Sequence, residues 1–139
     1  MDRAQGTGFV EGQAYTRAEI GRLVGGDVQQ RGLPWKGGRV TCAVLGKDRN
    51  VAPPDVILVG ASRTRRKRGE ALCAQGGDPI PVFVTEGRMP GGGKGLHVYR
   101  GLYAVVGWSE DPRTLPLWEA AAGGREDGVG LAIFLERRG

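Results

Sequence analysis

Gln29, Gln30 and Trp35 share one polar loop, residues 28–35, in which Gly32-Leu33-Pro34 leads into the indole. Glutamine amides both donate and accept hydrogen bonds, and a Trp face can stack on a planar ligand. Pro34 before it and Gly37-Gly38 after it mark Trp35 as a loop residue rather than a core one. A short helix that delivers such a loop to the mouth of a β-structure reads as a recognition site rather than a linker. Further on, Arg63, Arg65, Arg66, Lys67 and Arg68 place five cations in six positions. With a formal net charge of +5, that run permits attraction to phosphates or anionic surfaces. A solvated loop has the same composition, so charge alone leaves both readings open.

Catalytic patterns fit less well. The glycine loop at residues 87–95 ends in Gly93-Lys94-Gly95. A phosphate-binding loop needs Gly-x-x-x-x-Gly-Lys followed by Ser or Thr to hold Mg²⁺. Arg88 stands where its first glycine belongs and Gly95 where the hydroxyl belongs, so the segment reads as a hairpin tip. Pro54-Asp55 could begin a metal-dependent nuclease site, but downstream Glu86-Gly87-Arg88 offers arginine in place of the required lysine. Arginine is not deprotonated in proteins. A zinc deaminase needs His-x-Glu and Cys-x-x-Cys, and neither occurs. His97, the one histidine, lies in the apolar run Leu96-His97-Val98, where a structural role fits better than catalysis. Cys42 and Cys73 have no Cys or His at metal-ligand spacing. Two buried, reduced thiols are expected, with no metal, no cofactor and no catalytic residue. The residues argue against an enzyme.

These groups must be positioned by short elements. Thr16 and Glu19 form a capping box, each side chain satisfying a backbone N–H left free at a helix start. Tyr15 can staple that start, Ile20, Leu23 and Val24 give one apolar face, and Gly25-Gly26 stops the helix. Residues 39–45 read as a buried strand, 47–54 as a turn-rich connection, and 56–59 as a second strand. The basic run leads into a short amphipathic helix over 69–75. Residues 80–85 are β-branched and apolar, hence a strand, and Pro81 puts its beginning at an edge. Residues 96–99 and 102–108 resemble two arms of a hairpin around Arg100-Gly101. A weak helix over 117–124, with Trp118 closing one end of the fold, and a last strand over 130–137 complete the chain. About six short strands with two small helices suggest an α+β protein, a small, partly closed β-barrel. A parallel doubly wound sheet is excluded by the lack of alternating long helices.

At 139 residues the chain reads as one domain, 1–139, and its 26 glycines and 8 prolines exclude long helices. No apolar run approaches the roughly 20 residues that span a bilayer. The first residues, Met-Asp-Arg-Ala-Gln-Gly, lack the apolar core of a signal peptide, which predicts a cytoplasmic protein without a membrane partner.

A set of short pieces occurs in a telling order. They are Tyr15-Thr16-Arg17-x-Glu19-Ile20, Gly25-Gly26-x-x-Gln29, Gly32-Leu33-Pro34 and Ala52-Pro53-Pro54-Asp55. Pro79-Ile80-Pro81-Val82-Phe83-Val84 and Tyr99-Arg100-Gly101-Leu102-Tyr103-Ala104-Val105 follow. In that order they resemble the SRA-like domains of the PUA superfamily, found ahead of the nuclease domain in bacterial modification-dependent HNH restriction endonucleases. Each piece is weak alone, and their order over residues 13–108 carries the resemblance. It implies a PUA-like barrel that reads a modified base in DNA, a modified cytosine first, often by rotating it out of the duplex. Flipping costs a few kcal/mol, and stacking on an aromatic face returns about 1–3 kcal/mol per base. On this reading Trp35, Tyr99, Tyr103 and Trp108 are stacking candidates, and Asp55 with Gln29 or Gln30 reads the base edge. Arg31, Arg63, Arg65, Arg66, Lys67, Arg68, Arg88 and Lys94 would hold phosphates, a contribution that weakens with salt.

No His-Asn-His nuclease segment is present, so the resemblance implies a reader whose cutting partner, if it has one, is a separate nuclease subunit. Three other readings remain: an RNA-binding member of the same superfamily, a metal-dependent nuclease using Asp55, Asp78 and Glu86, and a barrel for small molecules or proteins.

Overall fold

A computed structural model describes residues 8–24, 33–36, 39–46, 54–85, 96–121 and 128–138. The strands are β1 (Ala14–Tyr15), β2 (Trp35–Lys36), β3 (Arg39–Val40), β4 (Ala43–Gly46), β5 (Val56–Gly60), β6 (Ile80–Thr85), β7 (His97–Ser109) and β8 (Val129–Arg137). The helices are α1 (Arg17–Val24), α2 (Arg63–Ala74) and α3 (Leu115–Ala121). One sheet runs β4-β6-β7-β8-β5, with β1 paired to the start of β7; β2 and β3 form a separate hairpin. Among the described residues only β4 and β6 run parallel, because the chain leaves β4 for β5 at the far edge and returns through α2.

Alternation along the strands sorts the core onto two faces. Ile57 and Val59 of β5 and Leu131, Ile133 and Leu135 of β8 pack with Leu72 of α2. Their neighbours Val56, Leu58 and Ala132 pack instead with Leu115 of α3, joined by Trp118 and Phe134. At the other end Val44, Phe83 and Tyr99 meet Phe9, Tyr15 and Ile20. One face of the sheet therefore carries α2; the other carries α1 at one end and α3 at the other.

The start of α1 is built as its residues require. The Thr16 N–H donates to Glu19 Oε1 at 2.8 Å and the Glu19 N–H to Thr16 Oγ1 at 3.2 Å. The Thr16 N–H first, and then the Thr16 side chain, hold the Glu19 carboxyl below its ordinary pKa. Tyr15, just before the cap, joins Ile20 in one buried cluster, a hydrophobic staple.

Several expectations need correction. The basic run does not precede its helix; it is the first half of it. Ser62 caps the N-terminus, its Oγ accepting from the Arg65 N–H at 3.4 Å, and arginine and lysine are good helix formers. The expected strand over 39–45 divides into β3 and β4, with Thr41 turned aside to donate its N–H to the Pro34 carbonyl at 2.9 Å. The two expected hairpin arms around Arg100-Gly101 are one continuous strand, β7. Gly101, at φ +117°, absorbs Arg100 as a bulge, since Val82 pairs with Gly101 and Phe83 with Tyr99. Three helices, not two, are present among the described residues. Where a partly closed barrel is expected, the sheet does not close among the described residues: β4 and β5 are its edges, and no ladder joins them there. Cys42 is fully buried, but Cys73 is only partly so.

Pro81 does begin β6 at a local edge. The β4 ladder starts one residue later, at Val82, so no strand there needs the missing N–H. His97 is a core residue of β7, its Nδ1 2.9 Å from Thr85 Oγ1.

Candidate nucleic-acid interface

The basic helix α2 lies across the sheet on the close approach of Gly69. A Cβ there would stand 3.0 Å from Leu131 Cδ2 and from Val59 Cγ2, so only glycine lets the helix sit so low. The cations then divide by position. Arg66 reaches Glu70 one turn on, at 3.5 Å, and Glu110 beyond the end of β7. Arg68 donates to the Leu33 carbonyl at 3.3 Å, on the opposite side of the helix. Arg63 and Lys67 are exposed, and no ion pair or side-chain hydrogen bond engages either among the described residues.

The segment bearing Trp35 is fastened to this helix. Gln75, the C-cap of α2, accepts from the Val40 N–H through Oε1 at 2.7 Å and donates from Nε2 to the Val40 carbonyl at 3.2 Å. Val40 is the register partner of Trp35 in the β2–β3 hairpin. Thr41 and Arg68 hold the preceding carbonyls, those of Pro34 and Leu33. The backbone of Trp35 is thus clamped beside α2, while its side chain lies outside the described residues. So do Gln29, Gln30, Arg31, Glu86, Arg88 and Lys94.

Asp55 acts on Tyr103 through its charge. Asp55 is exposed at the turn before β5, and its backbone carbonyl accepts from the Leu135 N–H at 2.8 Å. The Tyr103 ring packs in the α2-side core, beside Ile80 and Leu135. Burial first, and then the Asp55 carboxylate, push the Tyr103 phenol above its ordinary pKa; Arg100 and Arg137 act the other way. At neutral pH that hydroxyl stays protonated and can donate.

Tyr99 belongs elsewhere. It is 0% exposed, with ring centroids 5.3 Å from Phe83 and 5.5 Å from Phe9. The ring is enclosed by the protein, so Tyr99 is a packing residue and leaves the stacking set. Tyr103, 6% exposed, likewise cannot offer its ring face; only its hydroxyl remains useful. Of the other aromatics, Trp118 packs on Phe134 at 6.1 Å, whereas Trp108 is 52% exposed on β7. Sequence reasoning missed the Gln75 clamp and the Glu110 partner, which join residues 35 and 44 positions apart and leave no local signal.

For the nuclease reading, Asp78 is held by Arg39 at 3.4 Å. No group of three His, Cys, Asp or Glu that could hold a metal occurs among the described residues. No helix among them is long and apolar enough to cross a membrane.

The fold is similar to that of SRA domains of solved structure. The chain is similar to the SUVH5 SRA domain solved in complex with hemi-methylated CG DNA, with 18% identity and a TM-score of 0.58, over 94% of this chain and 89% of that one. The same SUVH5 domain with methylated CHH DNA gives 19% identity and 0.58, over 94% and 90%. KRYPTONITE, in complex with mCHG DNA and SAH, gives 13% identity and 0.59, over 93% of this chain and 32% of that one. No family model and no curated protein matches the chain.

Proposed function

We propose that this domain binds duplex DNA and reads a modified base, a modified cytosine first, by accepting it extruded from the helix. The likeness that carries this reading is the fold itself, shared along nearly the whole chain with SRA domains solved on methylated DNA. The site chemistry agrees with it. A neutral Tyr103 hydroxyl donates while Asp55 accepts, the complement of a cytosine edge with a ring acceptor beside an amine donor. Trp35 is the stacking side chain of the proposal, and Gln29 or Gln30 completes the edge contacts. The cationic helix supplies phosphate contacts that do not depend on sequence. A separate nuclease subunit, acting where this domain has bound, belongs to the same proposal, as does the organisation of residues 1–139 as one domain.

The test is a binding panel of duplexes carrying different modified cytosines, adenines and backbone sulfurs, beside plain duplex and single-stranded RNA, each at several salt concentrations. Tightest binding to a cytosine-modified duplex is expected. Trp35→Ala should abolish the preference while plain-duplex binding survives. RNA preferred at every salt would overturn the DNA reading, and an unchanged preference in the variant would remove Trp35 from the site.

A further inference from the structure

We infer that the phosphate-contacting surface of this domain is one edge of α2, formed by Arg63 and Lys67, and that the other cations of the run are structural fasteners. The inference rests on the DNA-binding reading above and narrows it to two side chains. Gly69 and Leu72 are the buried residues of α2 and define its sheet-facing side. Lys67 stands about 200° around the helix from Gly69, and Arg63 lies one turn before it, so both point away from the sheet. Both are exposed, and neither has an ion pair or side-chain hydrogen bond among the described residues. Arg66 is occupied by Glu70 and Glu110, Arg68 by the Leu33 carbonyl, and Arg65 is not free either.

The placement works against the protein's own stability. Like charges one turn apart repel, and cations in a first helical turn oppose the macrodipole. No acidic residue stands in that turn to offset them. Local rules broken without internal compensation are expected where a surface serves a ligand. Here the ligand must be polyanionic. Four residues of helix rise about 6 Å, against about 3.4 Å of duplex axis per phosphate of one DNA strand. Two flexible stems can therefore address neighbouring or next-neighbouring phosphates of a single strand. The β2–β3 hairpin is clamped to a neighbouring side of the same helix by Arg68 and Gln75, so a strand gripped here is held near Trp35.

Fluorescence anisotropy with plain duplex DNA across a salt series tests the assignment, using wild type, the Arg63→Gln/Lys67→Gln double variant and Arg66→Gln. Each lost phosphate contact lowers the slope of log K against log salt by about 0.9, so the double variant should lose about 1.8. Its thermal midpoint should stay at or above that of the wild type, because two cations without an ion pair among the described residues are gone. Arg66→Gln should instead lower the thermal midpoint while keeping nearly the whole slope. A double variant with the wild-type slope, beside a wild type that binds, overturns the α2 edge and leaves the DNA reading standing. The same holds if Arg66→Gln loses the slope and the double variant does not. A wild type that binds no duplex at low salt overturns the DNA reading and this one with it.

Discussion

The side-chain amide of Gln75 serves Val40 as a neighbouring strand would, accepting from its N–H at 2.7 Å and donating to its carbonyl at 3.2 Å. Through that one amide the C-cap of α2 is joined to the hairpin that carries Trp35. Gln75→Ala should leave both partly buried backbone groups unmet, at about 1–3 kcal/mol. The expected signature is a lower thermal midpoint together with a larger loss in modified-base preference than in plain-duplex affinity. Equal losses in both would show that the clamp does not position Trp35.

Gly69→Ala sets two effects against each other. Alanine gains about 1 kcal/mol of helix propensity over glycine. Its Cβ, however, would meet Leu131 and Val59 at 3.0 Å, and both are core residues with no room to retreat. Overpacking of that kind costs about 1–3 kcal/mol, so the variant should be less stable in chemical denaturation. A stabilised variant would mean that α2 lifts from the sheet without penalty.

Asp55→Asn should bring the Tyr103 phenol part of the way back towards the ordinary value of 10.0, since burial, the larger cause, remains. Ultraviolet titration of the phenolate reads this directly. The folded pKa lies above the unfolded one, so this group's contribution to stability is intact below pH 10.0 and is lost as pH rises through the folded value. Asp55→Asn should therefore resist alkaline unfolding better than the wild type. An unmoved phenolate titration would separate Asp55 from Tyr103.

Cys73 is partly exposed yet should be a poor nucleophile. Burial, followed by the charges of Glu110 and Glu70, pushes its thiol from 9.0 up to about 11. At a given lower pH that shift leaves about a hundredfold less thiolate than an ordinary cysteine has. Alkylation of the native protein near neutral pH should be correspondingly slow, and should accelerate in Glu110→Gln. Labelling at the rate of a free thiol would contradict the burial of the sulfur.

Local patterns in the chain announced local structure. Thr16 and Glu19 announced the start of α1, and the β-branched run at 80–85 matches β6 residue for residue. The arginine run was less legible, because charge density suggests a loop while Ser62 and the helix propensity of arginine favour α2. β7 shows what one bulge does to such reasoning. Tyr99 and Tyr103 are four residues apart and would share a face in a regular strand. The spare residue at Arg100 turns the strand over between them, sending Tyr99 into the aromatic cluster and Tyr103 into the α2-side core. The influence of the Asp55 charge on Tyr103 depends on that reversal and on β5 pairing with β8, neither of which has a local signature.

At Tyr103, β7 passes from its ladder with β6 to its ladder with β8, facing Ile80 on one side and Arg137 on the other. Gain or loss of a single residue on either flank would re-index one half of the sheet while the other half stayed put. As this chain diverges among descendants, the letters of β7 can drift but its count cannot. Arg100 and Val106 are the natural exceptions, since the register already accommodates an odd residue at each.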